Sequence, residues 1–103
     1  MRTAEELIEA AKTALKKDDT DEVVEILCEA LAHLSDFSWR TGVTWEVSEV
    51  KSCCHEIGEL IHEAGGIAAM QDVYYDVRDE MKPLAARYLE RFWNGCGDGE
   101  WRG

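Results

Sequence analysis

The stretch VSEVKSCCHEIGELIHEAGGIAAMQDVYYDVRDEM, residues 47–81, decides the fold. Val47, Val50, Cys54, Ile57, Ile61 and Ala64 recur at steps of three and four, the spacing that places side chains on one face of a helix. Gly65-Gly66 then supplies a C-cap and a tight turn, after which Ile67, Met70, Val73, Tyr74, Val77 and Met81 resume the same spacing. A stripe of this kind packs at a shallow crossing angle against antiparallel neighbours, so the stretch predicts two helices of a bundle.

The flanking sequence extends the pattern. Thr3 followed by Glu6 reads as a capping box, opening a helix whose stripe is Ala4, Leu7, Ile8, Ala11, Ala14 and Leu15 and which ends near Lys16-Lys17. Asp19 with Glu22 repeats that signal. Val23, Leu27, Ala30, Leu31 and Leu34 line this next helix, with Glu22, Glu25, Glu29 and Asp36 on its opposite face. Phe37 to Thr44 loses the periodicity and reads as a loop, with Thr44 as the N-cap of the helix that follows. Pro83 disfavours helix at Lys82 yet suits the first turn of a new helix, which turns Leu84, Ala85, Tyr88, Leu89 and Phe92 inward and stops near Asn94-Gly95.

These segments predict an all-α chain, an antiparallel bundle of four to five helices in one domain over residues 1–94, followed by a Gly-rich C-terminal tail at 95–103. In that tail Trp101 is expected to fold back onto the bundle, because burying an indole removes roughly 150 to 250 Å² from water. The cysteines, at 28, 53, 54 and 96, form no CxxC pair. Three read as reduced, core-forming thiols, and Cys96, lying in the Gly-rich tail, as an exposed one.

Charge is distributed unevenly. Between Asp18 and Glu80 sixteen carboxylates face only Arg40, Lys51 and Arg78, a formal −13 within a chain of net −11. Such a field repels nucleic-acid phosphate and anionic membrane surfaces and attracts cations or a basic partner surface, reaching about 8 Å into solvent at physiological salt. No run approaches the length of a membrane span and the N-terminus has no apolar leader core, so a cytoplasmic, full-length mature chain is expected.

Chemistry-bearing side chains concentrate on the two helices of the opening stretch. His55, Glu59 and His62 share one face, and Glu59 with His62 has the ExxH spacing found in helical di-iron carboxylate sites, which need a second ExxH and two more glutamates. His55-Glu56-Ile57-Gly58-Glu59-Leu60, followed by Asp72-Val-Tyr-Tyr75, resembles the signature of MazG-type all-helical nucleoside triphosphate pyrophosphohydrolases, an EExxE on one helix and an ExxD on the next. That resemblance implies a magnesium-dependent activity with Glu56, Glu59 and Asp72 as metal-binding carboxylates. In this chain His55 stands at the first glutamate of the pattern and Ala69 three residues before Asp72, so the implied activity extends to a degenerate relative.

No nucleophile constellation or phosphate-cradling loop is present, and no catalytic residue is assigned. What remains is surface: Glu22, Glu25 and Glu29 on one helix, and Asp72, Asp76 and Asp79 with Tyr75 on another. The sequence-level expectation is therefore a non-enzymatic, cofactor-free interaction module docking to a basic partner protein and forming a homodimer, with the pyrophosphohydrolase as the alternative. A ligand pocket built from Trp39, Trp45 and Tyr74 is a third reading.

Overall fold

The structure, a computed structural model, describes residues 2–34 and 45–101. Among the described residues the chain is all-α, with no strand: α1 (Ala4–Lys16), α2 (Thr20–Leu31), α3 (Val47–Glu80), α4 (Pro83–Phe92) and a single turn, α5 (Cys96–Gly99). The expected loop at 37–44, the Thr44 cap, Asp36 and Trp39 lie outside the described residues.

The helix starts follow from local chemistry. Thr3 accepts from the Glu6 backbone amide while the Glu6 carboxylate accepts from the Thr3 amide, so two amides of the first turn of α1 are satisfied. Asp19 accepts from the Glu22 amide at 3.2 Å at the start of α2. Pro83 opens α4, where its missing N–H removes nothing from the helix.

Gly66 does the topological work. A straight helix of 34 residues would be about 51 Å long, whereas the longest dimension of the molecule is 33 Å. The helix therefore breaks at Gly66, whose φ of 73° and ψ of −167° are costly for any residue with a Cβ, and the chain turns back. The arm before the break buries Val50, Cys54, Ile57 and Ile61, and the arm after it buries Met70, Val73 and Val77. All seven join one core with Leu7 and Ala11 of α1, Ile26, Leu27 and Leu31 of α2, and Leu89 of α4. Each such aliphatic side chain stabilises the fold by about 1.5–3 kcal/mol relative to exposure.

The expected stripes fail at their ends. Val47 is 58% exposed, Leu84 is 45% exposed and Ala64 is exposed. Val47 opens α3 and Ala64 stands beside the Gly66 break, so both sit where the bundle stops supplying a facing helix. On α4 the inward arc is Ala85, Ala86, Leu89 and Phe92, which leaves Leu84 about 100° off towards solvent.

The C-terminal residues are part of the core. Trp93 is fully buried and Trp101 is 8% exposed, the two indoles meeting edge to face with centroids 5.1 Å apart. The Trp101 Nε1–H donates to the Glu90 carbonyl at 3.1 Å. Cys96, expected to be exposed, is completely buried, because the turn that carries it lies against α3. All four cysteines are buried, and none is in a disulfide. No helix among the described residues is long and apolar enough to cross a membrane.

Candidate functional site

Among the described residues, two places gather chemistry. The first is the seam between α2 and the second arm of α3. Asp21 and Glu25 from α2 and Asp76, Asp79 and Glu80 from α3 line an open groove of about 420 Å³, with the buried Val24 as its one apolar lining residue among the described residues. The positions are helical neighbours: Asp21 and Glu25 stand four apart, Asp76 stands three and four residues before Asp79 and Glu80, and the packing of α2 on α3 brings the rows together. Among the described residues, no Lys or Arg lines the groove. Asp72, one turn before Asp76, lines a smaller depression beside Asp18 and Asp19, so the acidic seam continues toward the α1–α2 turn.

The acids expected on the outer face of α2 divide. Glu29 accepts from the Arg2 guanidinium at 2.8 Å, Glu22 lies 3.8 Å from the same group, and the Glu29 hydrogen bond is the chief cause that raises Arg2 above its ordinary pKa. Glu22 and Glu29 are thus partly neutralised within the chain, while Glu25 faces the groove. Tyr75, 56% exposed, stands one turn before Asp79 and meets Tyr74 edge to face at 5.3 Å. Sequence reading missed Asp21 and Glu80 as groove residues, although the i, i+4 relation of Asp21 to Glu25 was available.

The second place is where the C-terminal turn crosses the first arm of α3. His55 Nδ1 lies 2.8 Å from the Phe92 carbonyl oxygen, which can only accept, so Nδ1 carries a proton and donates it there. Nε2 lies 3.7 Å from Glu59 Oε1. The Gly97 amide donates to both Glu59 oxygens, at 3.3 and 3.4 Å. The Cys96 thiol donates to the His55 carbonyl at 3.4 Å. One turn further on, His62 Nε2 pairs with Glu100 at 3.0 Å.

Glycine shapes this crossing. A Cβ on Gly97, whose φ is +67°, would lie 2.5 Å from the His62 ring, so only glycine lets the turn descend onto α3. Burial and the neighbouring Glu59 carboxylate push the Cys96 thiol up to about 12. Burial also pushes Cys53 up to about 11 and holds Cys54 well above the ordinary thiol range.

Of the three carboxylates in the pyrophosphohydrolase pattern, Glu56 and Glu59 line a groove of about 810 Å³ with Ser48, Lys51, Ser52, His55 and Asn94, whereas Asp72 lines the depression beside Asp18 and Asp19. Among the described residues, the side chains that meet closely enough to hold one metal ion are His55, Glu59 and Cys96, a set that omits Glu56 and Asp72. His62, the second member of the ExxH pair, is engaged by Glu100. The aromatic residues of the third reading separate: Trp45 stacks on His33 at 4.0 Å, and Tyr74 packs on Trp101 at 5.8 Å. Comparison with protein-family models, with curated proteins and with solved structures finds no match for this chain.

Proposed function

We propose that this chain is a non-enzymatic interaction module that holds a lysine- or arginine-rich segment of a partner protein on the acidic seam between α2 and the second arm of α3. The observation that carries the reading is the composition of that groove: among the described residues, five carboxylates from two helices line it without a basic side chain. Like charges held this close repel one another and oppose folding, which a face needed only for solubility has no reason to maintain. A basic segment relieves the repulsion as it binds, and the field steers its approach. The seam is long enough to match several successive charges, since Asp72, Asp18 and Asp19 extend it beyond the groove.

The interaction surface of this reading is Glu25, Asp72, Asp76 and Asp79, with Asp21 and Glu80 added and Tyr75 offering an aromatic face to a cation at the rim. Glu22 and Glu29, shared with Arg2, contribute less. A cytoplasmic setting and self-association belong to the same proposal, the latter supported by the exposure of Val47, Tyr75 and Leu84.

The test is fluorescence anisotropy with a labelled deca-lysine peptide. Binding is expected to weaken steeply as salt rises, and Glu25→Lys with Asp76→Lys is expected to lower affinity at least tenfold, while Glu5→Lys with Glu9→Lys on α1 changes it little. Equal losses from both pairs would reduce the attraction to diffuse net charge and overturn the reading. Release of pyrophosphate from nucleoside triphosphates with magnesium, lost in Glu56→Gln, would overturn it in favour of catalysis.

A further inference from the structure

The contacts made by His55, Glu59 and Cys96 have a chemistry that the acidic seam does not use. An imidazole, a carboxylate and a thiol, from positions up to 41 residues apart, each offer one ligand atom within 4.8 Å of the other two. Ligands of a tetrahedral ion bound at 2.0–2.3 Å are about 3.3–3.8 Å apart, so the partly exposed His55 and Glu59 side chains must draw in toward the buried Cys96 sulfur to close the set. We propose that His55, Glu59 and Cys96 bind one zinc-class divalent ion, which fastens the C-terminal turn to α3.

Four observations converge on this site. His55 stands between the other two groups: Nδ1–H is donated to the Phe92 carbonyl, the arrangement by which metal-bound histidines are held, and lies 3.6 Å from the Cys96 sulfur, while Nε2, the ligand atom of the neutral ring, lies 3.7 Å from Glu59 Oε1. Glu59 is positioned by the Gly97 amide, so the turn that brings the thiol also fixes the carboxylate. The donor set is selective, because a thiolate with an imidazole favours zinc or cobalt over magnesium and calcium. The groove of about 810 Å³ that His55 and Glu59 line brings solvent, and an ion in it, to two of the three groups.

The same three groups do not make a cysteine nucleophile. Nδ1 is the His55 nitrogen 3.6 Å from the sulfur, but its proton is donated to Phe92 and it cannot accept the thiol's. Cys96 is also fully buried. On binding the ion, the Cys96 S–H bond breaks, its proton leaves to solvent, and the thiolate's electron pair forms the bond to the metal, with no change of oxidation state.

Cobalt(II) added to the full chain after chelator treatment tests the site. The expected result is a near-ultraviolet thiolate-to-cobalt charge-transfer band that saturates at one equivalent and disappears when zinc is added. Cys96→Ser should lose the band, and His55→Ala and Glu59→Gln should weaken cobalt binding at least tenfold. Cys53→Ser should behave as the wild-type chain, and zinc should raise the melting temperature of the wild type but not of Cys96→Ser. Absence of the band in the wild-type chain overturns the proposal, whatever the variants do. So does a band that survives Cys96→Ser, since the sulfur ligand is then another cysteine.

Discussion

The Trp93 indole donates its Nε1–H to the Cys54 carbonyl across 2.7 Å, tying residues 39 apart in sequence at the centre of the bundle. Gly58, one turn after Cys54, makes the approach possible: a Cβ there would stand 2.6 Å from the Trp93 ring and 3.0 Å from the Cys96 sulfur. One glycine in the middle of a helix thus seats both the indole and the thiol of the C-terminal turn.

Gly58→Ala is accordingly expected to destabilise the protein by about 1–3 kcal/mol, although alanine is the better helix former by about 1 kcal/mol at an unobstructed position. Urea denaturation of the variant measures it. A gain in stability would mean that Trp93 moves away freely.

Core and surface positions of the same helix should separate clearly. Ile57→Ala, at a fully buried site, is expected to lose about 2–5 kcal/mol, and Val47→Ala, at the exposed start of α3, no more than about 0.5 kcal/mol. Chemical denaturation of the two variants side by side reads the difference.

Alkaline pH should weaken the fold. In metal-free protein Cys53 and Cys96 hold their protons to about 11 and about 12, against an ordinary thiol value of 9.0, through burial first and nearby glutamates second. The folded state therefore binds more protons than the unfolded state above pH 9. The stability they contribute is fully present below that pH and is lost as pH rises through the folded values. Denaturation midpoints in the presence of chelator should be level near neutral pH and fall above pH 9, with a shallower fall in Cys53→Ala.

The acidic groove should also be visible in stability. Repulsion among Asp21, Glu25, Asp76, Asp79 and Glu80 is screened by salt, so moderate sodium chloride is expected to raise the melting temperature. Asp79→Asn should raise stability at low salt by a few tenths of a kcal/mol, about the effect of removing a like-charge neighbour, and blunt the response to salt. Calorimetry across a salt series checks both.

Sequence by itself determined the helices from α1 to α4 and their order, while the single turn α5 fell in what read as a Gly-rich tail. A repeat at three and four, the Thr3–Glu6 capping box, the Gly65-Gly66 break and Pro83 each act within a turn or two of the chain, so they can be read without knowing what packs on what. It also located much of the acidic surface, since Glu25, Asp76 and Asp79 repeat on faces opposite apolar stripes. Tertiary structure alone decided where the stripes end, leaving Val47, Ala64 and Leu84 in solvent, because exposure depends on whether another helix faces the position. It alone joined Asp21 and Glu25 to Asp76, Asp79 and Glu80, and it alone carried Cys96 from a glycine-rich tail to a buried place beside His55 and Glu59. Local periodicity holds no record of such meetings, which arise from the crossing of segments about 40 to 60 residues apart, and the one at Cys96 is permitted by the missing side chains of Gly58 and Gly97.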